Sequence, residues 1–164
     1  MNWRYANSIF SIVLTAILTV VVSCSEEVMP TPYTYSQIFS GKNSKTWQLR
    51  SILLWEEGKQ DVTFTLPNCI KDDLYIFYAN SEKLFEVKNG ATKCDSEEAD
   101  ILVSDTWTFI NAGATLTITI PILAEFNLPY IVREVDKNDM LLEIFLDFEG
   151  TQSYRLAFKS VGEN

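Results

Sequence analysis

The chain contains no histidine, and that absence removes a large part of enzyme chemistry. Ser-His and Cys-His nucleophilic pairs are excluded, as are imidazole acid–base relays and the commonest metal ligand. Glycine is scarce as well, with 6 residues scattered along 164, so no phosphate-cradling loop can be drawn. Basic side chains are few: 13 Lys and Arg stand against 22 Asp and Glu, for a net charge of −9. No Lys/Arg stripe forms, which argues against a nucleic acid or an anionic lipid surface as partner. Only one long apolar run occurs, residues 9–22, and it is shorter than the roughly 20 residues a spanning helix needs.

What is present begins with that run. Arg4 precedes it without any acidic residue, and it ends on Val21-Val22-Ser23-Cys24. This arrangement resembles a bacterial lipoprotein signal peptide with its lipobox. Small Ser23 gives a peptidase access to the backbone before Cys24, and the Cys24 thiol can carry a diacylglycerol thioether. Residues 1–23 are therefore expected to be removed, leaving Cys24 as a lipidated amino terminus. Two or three acyl chains such as palmitate, at roughly 0.8 kcal/mol per buried methylene, would anchor the chain firmly. The alternative is an uncleaved amino-terminal anchor with Cys24 as an ordinary thiol. Ser25-Glu26-Glu27 resembles the acidic export signal of surface-exposed Bacteroidetes lipoproteins, which places the expected location on the outer face of the outer membrane. A periplasm-facing protein is the other outcome.

Residues 24–40, with Pro30, Pro32 and many Thr, Tyr and Ser, read as a tether. Residues 41–164 are long enough for one domain with a single core. Removing Arg4 with the leader takes the net charge from −9 to −10. Cys69 and Cys94 fall in the exported part, where oxidising conditions favour a disulfide, and with Cys24 acylated only one pairing exists. Free thiols or metal ligation are the alternatives. A zinc site would need four ligands, which the chain does not supply, so no metal or other cofactor is expected.

From Trp47 onward the pattern is alternation. In residues 114–120, Ala114, Leu116, Ile118 and Ile120 share one face and Thr115, Thr117 and Thr119 the other, as a half-buried strand requires. Further strands are expected at 47–54, 74–79, 84–87, 106–110, 130–135, 141–148 and 154–159. Between them lie turn-rich stretches such as Asn89-Gly90 and Asp136-Lys137-Asn138-Asp139. Short hairpins make sequence neighbours spatial neighbours. The expectation is an all-β, antiparallel up-and-down barrel of about eight strands, with an open sheet folded on itself as the alternative. One short helix is expected, at residues 35–40.

Cys69-x-x-Asp72-Asp73-x-x-x-Phe77, a hairpin, then Asn89-Gly90 and Cys94 resemble the lipocalin-like domain of Bacteroidetes lipoproteins. Gly41 with Trp47-x-Leu49, Asp105-Thr106-Trp107-Thr108-Phe109 and Leu116-Thr117-Ile118 are similar to that family's strands, so the likeness runs from Gly41 to Val161. The tight Gly-x-Trp signature of true lipocalins is absent, since the glycine stands further before Trp47. The resemblance implies an eight-stranded barrel with a longer connection, residues 55–68, between its first two strands. Trp55, Val62, Phe64 and Leu66 of that connection would cover or line one barrel mouth, or simply plug it.

Paired carboxylates are the remaining chemistry. Asp72 and Asp73 are adjacent and point to opposite faces of a strand, and the run Asp95, Glu97, Glu98, Asp100 lacks the glycine and final glutamate of a calcium loop. Both read as a solvated loop, and no enzyme activity is expected. Aromatic residues at period two, Trp47, Trp107, Phe109, Tyr75, Phe77, Phe85, Phe145 and Phe148, are expected in the core, with the lining of a ligand pocket as the alternative. Trp55, Phe64, Trp107 and Phe109 are the candidate lining of a pocket for a small apolar ligand. Arg133 and Arg155 interrupt apolar strands and are expected to face water. Two functions follow: a membrane-anchored lipocalin-like lipoprotein that binds a small apolar ligand at the cell envelope, or a structural lipoprotein whose filled barrel contacts another envelope protein.

Overall fold

The computed structural model describes residues 34–56, 58–146 and 151–164. The leader 1–23, the lipobox residues Ser23 and Cys24, the acidic Glu26 and Glu27, and Phe148 lie outside the described residues. Within them the chain forms helix α1 (Tyr35–Ser40), strands β1 (Ser44–Glu56) and β2 (Lys59–Phe64), and a short helix α2 (Asn68–Lys71). There follow β3 (Leu74–Tyr78), β4 (Leu84–Lys88), β5 (Ile101–Thr106) and β6 (Thr108–Ile110), then a 3₁₀ turn (Asn111–Gly113). The last strands are β7 (Thr115–Ile118), β8 (Leu128–Val135), β9 (Asp139–Phe145) and β10 (Gln152–Glu163).

All pairings are antiparallel, in the order β5-β4-β3-β1-β10-β9-β8-β7-β6, with β2 attached to β1 beside this path. The two edge strands, β5 and β6, are separated in sequence by Trp107 alone. The chain thus passes from one edge of the sheet to the other across one residue. That draws the edges together into a nearly closed barrel and protects both from pairing with other chains. The Trp107 amide still donates to the Lys83 carbonyl at 2.8 Å, while its indole donates to the Tyr78 carbonyl at 3.0 Å.

The all-β barrel matches the expected class, but ten strands form rather than about eight. One addition is β2, inside the stretch expected to be a plain connection. Every residue of β2 is exposed, so no buried face marks it in the sequence. The other comes from the run 106–110, which begins earlier, at Ile101, and is divided at Trp107.

β1 shows how alternation is kept and then shifted. Lys45, Trp47 and Leu49 point inward; the pairing with β10 then slips between Leu49 and Ser51, and Ile52 is the next buried residue. An extra residue, Arg50, changes the parity, as a bulge does. The interior is filled with aromatic side chains. Phe77 packs edge-on to Phe85 and Trp107, Trp107 to Phe109, and Tyr75 to Phe158, with ring centroids 4.9 to 5.7 Å apart. Trp47, Tyr75, Phe77 and Phe85 are buried as expected, whereas Phe145 is 41% exposed. Its neighbours Met140, Leu142 and Ile144 occupy the inward parity of β9, so Phe145 points out.

Helix α1 closes the end of the barrel where β1 begins and β10 ends. Its Phe39 is fully buried against Phe109 and Phe77, so the folded unit begins before Gly41. Two side chains from β1 hold the helix carbonyls: Trp47 Nε1 donates to Phe39 at 2.8 Å and Lys45 Nζ to Ile38 at 2.7 Å. Burial pulls the Lys45 ammonium below its ordinary value. Gly41 ends the helix at φ +63°, where a Cβ would also lie 2.7 Å from the Glu163 side chain.

Candidate functional site

At the opposite end of the barrel, the end of β1, β2, helix α2 and the loops 89–100 and 119–127 form an open mouth. Cys69 in α2 is disulfide-bonded to Cys94, with their Cα atoms 5.1 Å apart. The β3–β4 hairpin brings the two cysteines to its open ends, and the bridge fixes α2 to the long loop that follows β4. Gly90 is required there. A Cβ on it would lie 2.3 Å from the Asp72 carbonyl oxygen, so only glycine lets the loop approach the start of β3 so closely.

Two clefts open at this mouth, and Ile122 of the 119–127 loop lines both. The first has a volume of about 280 Å³ and is bordered by Ile52, Phe64, Leu66, Ile122, Leu123 and Tyr154. Among the described residues no charged side chain lines it. Phe64 and Tyr154 stack across β1 with centroids 6.2 Å apart and form one wall. The second cleft, of about 240 Å³, lies beside the disulfide and includes Asp73 and Glu98.

The four aromatic residues expected to line a pocket do not converge. Trp107 is 1% exposed and sits in the middle of the packed core with Phe109. Trp55 lies on the outside of the barrel, where the Arg155 guanidinium carbon stands 3.7 Å from its ring centroid. Only Phe64 lines the apolar cleft. Its companions Ile122 and Leu123 come from a loop with no periodic signal, and Tyr154 comes from the far end of the sequence. Leu66 is buried, as a residue covering the mouth should be.

Arg133 and Arg155 point outward as expected, with Arg133 exposed and Arg155 partly covered, and both also converge on Glu143. All three project outward from neighbouring strands, but the two arginines cover the carboxylate until its side chain is 1% exposed. Glu143 Oε1 accepts from Ser153 Oγ at 2.6 Å and Arg155 Nε at 2.9 Å, and Oε2 accepts from Arg133 Nε. Burial pushes the Glu143 carboxyl up, but the hydrogen bonds from Ser153, Arg155 and Arg133 outweigh it and hold the group below its ordinary value.

The acidic residues divide. Asp95, Glu97 and Asp100 are exposed, as a solvated loop requires. Asp73 departs from that expectation: it is 6% exposed and its Oδ1 has no hydrogen-bond partner among the described residues. Among the described residues no group of three or more His, Cys, Asp or Glu side chains could hold a metal. The fold defines the class, an antiparallel β-barrel plugged at one end and open at the other. Comparison with known proteins adds no family: no family model and no curated protein matches the chain.

Proposed function

We propose that this chain is a lipid-anchored, lipocalin-like protein of the cell envelope whose barrel mouth holds a small apolar ligand. The observation that carries the reading is the first cleft, about 280 Å³ of space lined by aliphatic and aromatic side chains at the one unplugged end. Its volume falls just below the range of about 300–1,000 Å³ usual for ligand sites. That suits a single short chain or compact ring system. Orientation would come chiefly from shape, since the hydroxyls of Thr65 and Tyr154 are the polar side-chain groups among the described lining residues. The lipobox ending on Cys24 supports membrane attachment, and Ser25-Glu26-Glu27 supports an outward-facing position on the outer membrane.

One observation favours a second reading. The barrel interior is filled by its own aromatic residues, so the ligand space is confined to the rim, and exposed Phe126, Phe145 and Leu146 offer apolar contacts to another envelope protein. Photolabelling the full-length protein in its own membranes with a small apolar diazirine separates the two. Saturable labelling should map to residues 64–66, 122–123 and 154, and Phe64→Asp should reduce it. Label confined to Phe126, Phe145 and Leu146 would transfer support to the interaction reading. The anchor is tested separately: Cys24→Ala should block processing and release the chain from membranes, and an unchanged mature mass and membrane fraction would refute it.

A further inference from the structure

The second cleft has a chemistry that the first lacks. Ile70, Leu102 and Ile122 form its apolar side, while Asp73 and Glu98 give it an acidic one. Asp73 is more than nine-tenths buried, yet one carboxylate oxygen has no partner among the described residues. A buried acceptor left empty costs about 1–3 kcal/mol, and more when it is charged, so such an atom points to a donor that arrives from outside.

The neighbouring groups leave that role open. Asp72 does not line the cleft: its Oδ2 accepts the Thr92 amide at 2.9 Å and hydroxyl at 2.7 Å, and its Oδ1 is also buried without a partner among the described residues. Glu98 Oε2 accepts the Cys94 amide at 3.0 Å and adds negative charge at the half-buried rim. Lys93, in the same loop, is engaged on Asp100 and on the Glu98 carbonyl, each at 2.7 Å. Among the described residues no basic side chain lines the cleft, so its lining carries net negative charge.

We propose that this cleft binds a small organic cation, a primary ammonium on an apolar ring or short chain, with Asp73 accepting the ammonium and Glu98 reinforcing the charge. One free oxygen suits a compact point donor better than the planar fork of a guanidinium, which calls for two. The aliphatic wall takes the body of the ligand. This site is separate in chemistry from the apolar cleft and does not depend on it.

The charge state of Asp73 supplies a second readout. Burial, against a hydrogen bond from the Gly90 amide that pulls the other way and with help from the charges of Asp72 and Glu98, pushes its carboxyl up to about 6. Tyr75, the other titratable group against it, is neutral because burial pushes its phenol up as well. The carboxylate is therefore ionised at neutral pH and lost below about 6.

Calorimetry on the purified full-length protein in detergent, with a detergent blank, tests the assignment. Phenethylamine, phenethyl alcohol and phenylacetate share a ring and length and differ in charge. At pH 7.5 the amine should bind about tenfold tighter than the alcohol or better, as a charge-assisted hydrogen bond provides, and phenylacetate should bind least. Amine affinity should rise as pH increases through about 6. Asp73→Asn should reduce the amine to the affinity of the alcohol, with near-ultraviolet circular dichroism and the apolar-cleft photolabelling unchanged. Should that variant fail to fold, Glu98→Gln, at the rim, should still weaken the amine selectively. Equal binding of amine and alcohol, a pH-independent amine affinity, or no binding of any of the three would overturn the proposal, while leaving the apolar cleft to its own test.

Discussion

Replacing Glu143 by Gln removes the charge from a carboxylate that three strands enclose. Arg133 on β8 and Ser153 and Arg155 on β10 all donate to it, and Arg155 continues onto the Trp55 ring of β1. One side chain thus ties four adjacent strands on the outside of the barrel. Removing one partner of a fully buried ion pair costs about 3–5 kcal/mol. Here the arginine side chains are 43% and 22% exposed, so water compensates part of their loss, and a cost of about 2 kcal/mol is expected. Glutamine adds a fault of its own, because its amide N–H groups would face arginine donors. The pH dependence has a defined sign. The folded carboxyl is held below its ordinary value, so its contribution is present above the unfolded value of about 4.3 and is lost as pH falls through the lower folded one. Urea unfolding followed by tryptophan fluorescence should show Glu143→Gln about 2 kcal/mol less stable at pH 7, with the gap closing in acid. A cycle with Arg155→Met should return a coupling of at least about 0.5 kcal/mol. A variant within about 0.5 kcal/mol of the parent at pH 7, or strict additivity with Arg155→Met, would refute the clamp.

Three further outcomes follow from the same packing. Changing Cys69 and Cys94 together to Ser opens a loop of sequence separation 25, which should lower stability by about 3.5 kcal/mol on the chain-entropy model while far-ultraviolet circular dichroism keeps its strand signature. A loss of strand signal would show that the bridge is needed for assembly. Phe39→Ala empties a fully buried site under helix α1 and should cost about 3–5 kcal/mol in urea unfolding; a cost below about 1 kcal/mol would mean that the helix is not part of the core. Gly90→Ala places a methyl against the Asp72 backbone and should destabilise by about 1–3 kcal/mol, with a thermal midpoint equal to the parent's as the contrary result.

The parts of this fold that local pattern could reveal are those whose burial follows chain order. Leu116, Ile118 and Ile120 are buried on one face as their alternation requires, helix α1 occupies the residues expected for it, and Asp136 makes its turn by accepting the Asn138 and Asp139 amides. Yet Thr115 and Thr119 are buried too; Thr119 is joined through Asn127 to Asp105, which alternation within one strand could not reveal. Strand β2 has no buried face to announce it. The apolar cleft was legible only in part: Ile52 and Phe64 pair across the β1–β2 hairpin and Tyr154 joins them through the β1–β10 pairing, but Ile122 comes from the β7–β8 loop, which only barrel closure brings up to them. Register hid the Glu143 clamp. Arg133 sits where β8 slips against β9, so a bulge decides which way it points. Asp73 was legible as an acid and not as a buried one, because its cover comes from Gly90 and the disulfide loop.

A lipid-anchored barrel carrying a small apolar guest leaves two marks on its mass, and native mass spectrometry of the protein extracted from its own membranes reads both at once. The expected species is a chain that begins at Cys24, heavier by its acyl modification, with the Cys69–Cys94 bridge intact and a further small mass that is shed on mild activation. Phe64→Asp should keep the acyl mass and lose the guest. A mass equal to the unmodified 164-residue chain, or a lipidated chain that never carries a guest at any activation energy, would contradict the anchor in the first case and the binding function in the second.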